Sequence, residues 1–88
     1  MMRRCEVIFS GMVQGVGFRY SAQRRAQALG LSGFVRNLPD GRVEMVAQGE
    51  AEGLQELLGY LEANFSIRDK TVCDVPPRDD MKDFAITR

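Results

Sequence analysis

The sequence contains no histidine. Histidine is the commonest general base and the commonest metal ligand, so the usual catalytic triads and most metal centres are excluded. Cysteine is nearly as scarce. Cys5 and Cys73 are the only two, and their wide separation makes neither a zinc set nor a CxxC redox pair. Cys5 alternates with Val7 and Phe9, which reads as a buried reduced thiol; a disulfide to Cys73 stays open at this level. Neither sign of charge is in excess, with 12 Lys and Arg against 12 Asp and Glu. No strong overall field draws in nucleic acid or an anionic membrane, although a local basic site remains compatible with that balance. Long apolar runs are also missing. The start, MMRRCEV, carries two arginines with no apolar segment behind them, and Val7-Ile8-Phe9 is too short for a signal peptide or a membrane span. The expectation is a cytoplasmic protein.

What is present describes one domain over residues 1–88. The hydrophobic share of 44% and the charged share of 27% are ordinary for a globular chain. Arg3 to Ser10 alternates, with Cys5, Val7 and Phe9 on one face, and reads as a half-buried strand. Ser21 to Leu29 reads as a helix stopped by Gly30. Leu31 to Leu38 and Arg42 to Gln48 form a hairpin across the turn signal Pro39-Asp40-Gly41. Ala51 to Asn64 is a second helix, because Leu54, Leu57, Leu58 and Leu61 follow i, i+3, i+4, i+7 spacing. Lys70 to Val75 is expected to be a strand, Arg78 to Asp83 a solvated loop, and Phe84 to Ile86 a short closing strand. The order β-α-β-β-α-β makes two split βαβ units. The fold expected is α+β: a ferredoxin-like βαββαβ sandwich with two helices on one face of an antiparallel sheet of four or five strands.

Between the first strand and the first helix lies "GMVQGVGFRYS", Gly11 to Ser21. Glycines that merely break a strand do not account for the arginine that closes the stretch. Glycine lets a ligand approach backbone N–H groups closely. Successive N–H groups in a concave turn make an anion nest, and the following helix adds its free N–H groups and positive dipole end. Gly17 stands where a capping Ser or Asp would otherwise occupy those groups. Arg19 supplies a planar fork matched to phosphate or carboxylate oxygens. The stretch is neither a Walker loop nor GxGxxG, since Tyr20 stands where the third glycine belongs.

The run Gly11-Met12-Val13-Gln14-Gly15-Val16-Gly17-Phe18-Arg19 resembles the first signature of the acylphosphatases. Gly33-Phe34-Val35-Arg36-Asn37, followed by Gly41, Val43 and Gly49, resembles their second. The similarity covers essentially the whole chain and departs in one small respect, Phe9, where the family usually has an aliphatic residue. The resemblance implies an acylphosphatase fold of the ferredoxin-like kind and hydrolysis of acyl phosphates. It implies that Arg19 binds the phosphate, that Asn37 orients the attacking water, and that Gln14, Gly15, Val16, Gly17 and Phe18 hold the phosphate through their amides. It implies no metal and no cofactor.

The chemistry is consistent with the missing histidine. A phosphate monoester must expel an alkoxide, which needs an acid or a metal. An acyl phosphate expels a carboxylate, whose conjugate acid has a pKa of about 4, and this leaves without a proton. Asn37 offers a donor and an acceptor for water but no strong base; its plain alternative is to shape the turn after it. Arg36 falls on the opposite strand face and reads as a peripheral or partner charge. Glu44 reads as exposed. Ser10, Ser21 and Ser32 have no visible base. The expected partner is a small acyl phosphate, with inorganic phosphate as product and competitor, no nucleic acid and no membrane, and the chain acting as a monomer. Two rivals remain. One is an RNA-binding module suggested faintly by "SGFVRN", which lacks the aromatic spacing of such strands. The other is a regulatory acyl-phosphate-binding domain without turnover, since the same motifs occur at the front of a larger carbamoyl-transfer maturation protein. Because the chain ends at Arg88, a free-standing enzyme is expected.

Overall fold

The alternation of Cys5, Val7 and Phe9 has its counterpart in a strand whose odd residues are almost wholly buried, at 3%, 0% and 0% exposure. The computed structural model describes all residues, Met1–Arg88. Its elements are β1 (Met2–Met12), α1 (Phe18–Ala28), β2 (Ser32–Asn37), β3 (Val43–Glu50), α2 (Ala51–Asn64), β4 (Ser66–Val75) and β5 (Phe84–Thr87). No helix is long and apolar enough to cross a membrane.

Each helix is placed by its own apolar stripe. In α1, Phe18, Ala22 and Ala26 recur every four residues and are buried; the two alanines let the helix lie close to the sheet. It ends in a Schellman motif, with Gly30 N–H donating to Gln27 O at 3.1 Å and Leu31 N–H to Ala26 O at 2.9 Å. In α2, Leu54, Leu57 and Leu61 are buried. These residues meet Val7, Phe9, Val35, Val43, Met45, Ala47 and Phe84 in one core between the helices and the sheet. Phe18 joins Phe9 and Phe65 edge to face, with ring centroids 5.0 Å apart in both pairs. That stack anchors the first turn of α1 to both β1 and the end of α2.

The strands lie in the order β4-β1-β3-β2-β5. The first three pairings are antiparallel, as expected, but β5 runs parallel to β2. The ferredoxin-like α+β class holds, and the sheet is corrected from antiparallel to mixed. The cause is the route of the segment 76–83. It leaves β4 at one edge of the sheet and reaches β5 at the other, so the direction of β5 is set by a crossing and not by a hairpin.

That crossing also corrects the reading of 78–83 as simply solvated. Its residues are largely exposed, but Gln48 in β3 grips it twice. Gln48 Nε2 donates to Arg78 O at 2.7 Å and Arg78 N–H donates to Gln48 Oε1 at 2.8 Å. Gln48 is thereby satisfied although only 6% exposed. Other boundaries shift outward. α1 begins at Phe18 instead of Ser21, because its first turn has no capping side chain to mark it. Glu44 is half-buried, not exposed, and pairs with Arg36 at 2.5 Å across β2 and β3, so Arg36 is the partner charge expected of it.

Strand register also settles the cysteines. Cys73 stands opposite Glu6 and Asp74 opposite Cys5, so the two thiols point to opposite faces of the sheet and stay free. Burial pushes the Cys5 thiol above its ordinary range, with Asp74 adding to the rise and Arg3 opposing it.

The β2–β3 approach generates a stability prediction. Gly33 has φ +140, and a Cβ there would sit 1.8 Å from the carbonyl oxygen of Val46. Gly33→Ala is expected to cost more than about 3 kcal/mol, combining backbone strain with displacement of β3. Urea denaturation of the two proteins measures it.

Candidate active site

The bend between β1 and α1 is built by alternation in the sign of φ. Gly15 and Gly17 have φ +73 and +82, while no residue other than glycine has positive φ. Gln14, Val16 and Phe18 therefore keep negative φ, and successive peptide planes turn their N–H groups toward one concavity. A β-bulge between Ser10 and Gly11 shifts the register of β1 on β4, and the pairing runs on through Gly11 and Met12 to the start of the bend. No side chain caps the helix at Gly17, and its first turn has no acidic residue. The only hydrogen bond involving the bend's backbone outside the helix ladder is accepted, not donated: Ser21 N–H bonds Gly17 O at 3.0 Å. The amides from Gln14 to Tyr20 donate to no protein acceptor. At a helix N-terminus this is a set of aligned partial positive charges without a counter-ion.

Arg19, the second residue of α1, is half-buried. It has no carboxylate partner, although Arg3, Arg36, Arg42, Arg68 and Arg78 each have one. A fixed cation at the positive end of a helix raises the local potential further, so the arrangement favours an incoming anion. Val13, Gly15, Gly17, Phe18, Arg19, Tyr20 and Ile86 line a cleft of about 170 Å³.

Asn37 closes β2 opposite Val43 and shares the helix-facing side with Val35. Its Oδ1 is buried and has no hydrogen-bond partner. An orphaned buried acceptor costs about 1–3 kcal/mol, which is recovered when a donor such as water arrives. The alternative role in shaping the turn is taken by other groups. Asp40 Oδ1 accepts from Arg42 N–H at 3.1 Å and Asp40 Oδ2 from Arg42 Nε at 2.7 Å. The backbone N–H of Arg42 holds the Asp40 carboxyl below its usual range, and the Arg42 side chain reinforces this.

Asn37 does not line the Arg19 cleft. The bend and the hairpin are joined by a side chain that sequence reasoning credited only with its amide. Gln14 Nε2 donates to Leu38 O at 2.8 Å and to Arg42 O at 2.9 Å, on either side of the hairpin turn and directly after Asn37. Gln14 thus braces the bend against the strand end that carries Asn37. Nothing in the local sequence signals this, because the partners lie 24 and 28 residues away.

The chain is similar to known proteins of one family. The family model described as Acylphosphatase matches residues 5–86. The chain is 50% identical over 74 residues to an acylphosphatase of Methylococcus capsulatus, covering 84% of this chain and 80% of that protein. It is 52% identical over 61 residues to one of Thermus thermophilus, covering 69% of each. The crystal structure of an acylphosphatase from Bacillus subtilis superposes with a TM-score of 0.91 at 34% identity, covering all of both chains.

The Gln14 brace can be tested apart from any chemistry. Gln14→Leu keeps the side-chain volume but loses both hydrogen bonds. It is expected to lower stability by about 1–2 kcal/mol and to weaken inorganic phosphate binding severalfold. Denaturation and phosphate titration measure the two effects.

Proposed function

The chain belongs to the acylphosphatase family, and from that premise we propose how its residues divide the work of hydrolysing acyl phosphates. The enzyme cleaves a mixed anhydride of a carboxylic acid and phosphoric acid to carboxylate and phosphate. A binding module without turnover is not favoured. The observation that carries the division of roles is the run of unpartnered amides closing on an unpaired arginine. The amides of Gln14, Gly15, Val16, Gly17 and Phe18, together with Arg19, hold the phosphoryl oxygens. Charge in this transfer spreads over three equatorial oxygens, and preset donors stabilise it by roughly 3–4 kcal/mol each.

Asn37 holds the attacking water through its unpartnered Oδ1. The water oxygen bonds phosphorus as the bond from phosphorus to the acyl oxygen breaks. The electron pair of that bond leaves on the carboxylate, which needs no proton, and the water's proton passes to a phosphate oxygen. No covalent enzyme intermediate forms and neither metal nor cofactor takes part. The reading extends to a monomer acting in the cytoplasm on small molecules, without nucleic acid or membrane, with inorganic phosphate competing for the bend.

Benzoyl phosphate in excess EDTA tests the reaction. Turnover well above buffer, inhibited competitively by phosphate, is expected; a rate equal to buffer contradicts the proposal. Substitution tests the roles. Arg19→Gln is expected to lower kcat/KM by at least about a thousandfold and to abolish phosphate inhibition. Asn37→Ala is expected to lower kcat by about a hundredfold or more, with the phosphate inhibition constant changed less than about threefold. Equal losses in both constants would assign Asn37 a structural role.

A further inference from the structure

β5 is the shortest strand and lies at the edge of the sheet, paired only with β2. Gly33 N–H, in β2, donates to Asp83 O at 2.8 Å. The next carbonyl, that of Phe84, therefore turns away from β2 toward the open edge. It is not left to solvent. Gln23 Nε2 donates to it at 3.2 Å and Gln27 Nε2 at 3.5 Å, and one carbonyl oxygen has lone pairs for both. The two glutamines clamp α1 to β5. They follow Arg19 at i+4 and i+8, so one side of α1 carries, turn after turn, the arginine of the site and both arms of the clamp.

Ile86 lies two residues beyond Phe84, on the same face of the strand, and lines the Arg19 cleft. Its own burial does not fix it there: Phe84 is 2% exposed and Ile86 38%. Opposite Ile86 in β2 is Val35, two residues before Asn37 and on the same face of the sheet. β5 thus lies between the helix that carries Arg19 and the strand that carries Asn37, two residues that share no cleft. We propose that Gln23 and Gln27 are positioning residues: by fixing β5 to α1 they hold Ile86 against the Arg19 cleft and set the spacing between Arg19 and Asn37. The inference rests on the reading of Arg19 and the bend as the phosphate site and of Asn37 as the water site. Gln14 links the bend to the hairpin; the clamp adds a second link, from the body of α1 through β5 to β2. In-line attack depends on such spacing, since a misplacement of about 1 Å costs about a hundredfold in rate.

Benzoyl phosphate hydrolysis, its inhibition by inorganic phosphate and backbone amide exchange together test the clamp. Gln23→Leu combined with Gln27→Leu keeps the side-chain volumes and removes both donors. It is expected to lower kcat about tenfold while changing the phosphate inhibition constant less than about threefold, because the bend and Arg19 stay together on the α1 side of the clamp. Gln27→Leu alone keeps the shorter bond and is expected to retain at least about half of kcat. Amide exchange is expected to quicken at Ile86 and Thr87 in the double variant and to stay unchanged in α2. A kcat within about twofold of the unaltered enzyme overturns the inference. So does a parallel loss of kcat and phosphate binding with faster exchange in α2 as well, which would make the glutamines general supports of the fold. Either result leaves acyl phosphate hydrolysis standing. Failure of the unaltered protein to exceed the buffer rate removes the reaction itself, and the inference with it.

Discussion

A helix N-terminus must find partners for its first backbone N–H groups, and most chains supply one from a capping Ser, Thr, Asp or Asn. Here the capping position is Gly17, in the left-handed region, and no side chain reaches back. The preceding bend donates nothing to the protein either. Arg19 adds a full positive charge at the end of the helix where a positive charge is least welcome. Local stability is given up in one place, and that place is left with an unmet demand for negative charge. Much of the surrounding structure can be understood as holding that demand in shape.

The support comes from two kinds of packing. Phe18 is locked between Phe9 and Phe65, so the helix start cannot tilt away from β1 without breaking two aromatic contacts. Gln14 ties the bend to the hairpin, where the Asp40–Arg42 pairing fixes the turn. Asn37 ends the strand entering that turn, with one buried oxygen left over. Arg19, the bend amides and the Asn37 side chain thus lie on three elements, but only one side chain, Gln14, hydrogen-bonds the bend to the hairpin. Such a division suits a reaction whose leaving group needs no proton. The protein has to position and stabilise, and it can do so with groups that do not change their protonation state.

The fold was legible in the sequence to the degree that it depends on local pattern. The alternation of Cys5, Val7 and Phe9 and the leucine spacing of α2 located their elements, the latter to the residue. The glycines and arginine of the bend stood out by their chemistry, and the structure leaves their amides and guanidinium without protein partners. The segment 76–83 crosses from one edge of the sheet to the other and is gripped on the way by Gln48. The start of α1 was misplaced by three residues because an uncapped helix carries no starting signal. Glu44 was placed in solvent because strand alternation says which face a side chain takes, not whether an arginine waits opposite on the next strand.

By itself the sequence determined the element order and the core stripes of β1 and α2, and it marked the glycines and arginine of the bend, because each follows from neighbours within a few residues. Tertiary structure alone decided the parallel pairing of β5, the grip of Gln48 on the crossing segment, the Gln14 brace and the opposite facing of the two cysteines. These depend on which distant backbones become adjacent when the sheet forms. The periodicity of a chain records its own twist and burial; it does not record which strand will lie beside it.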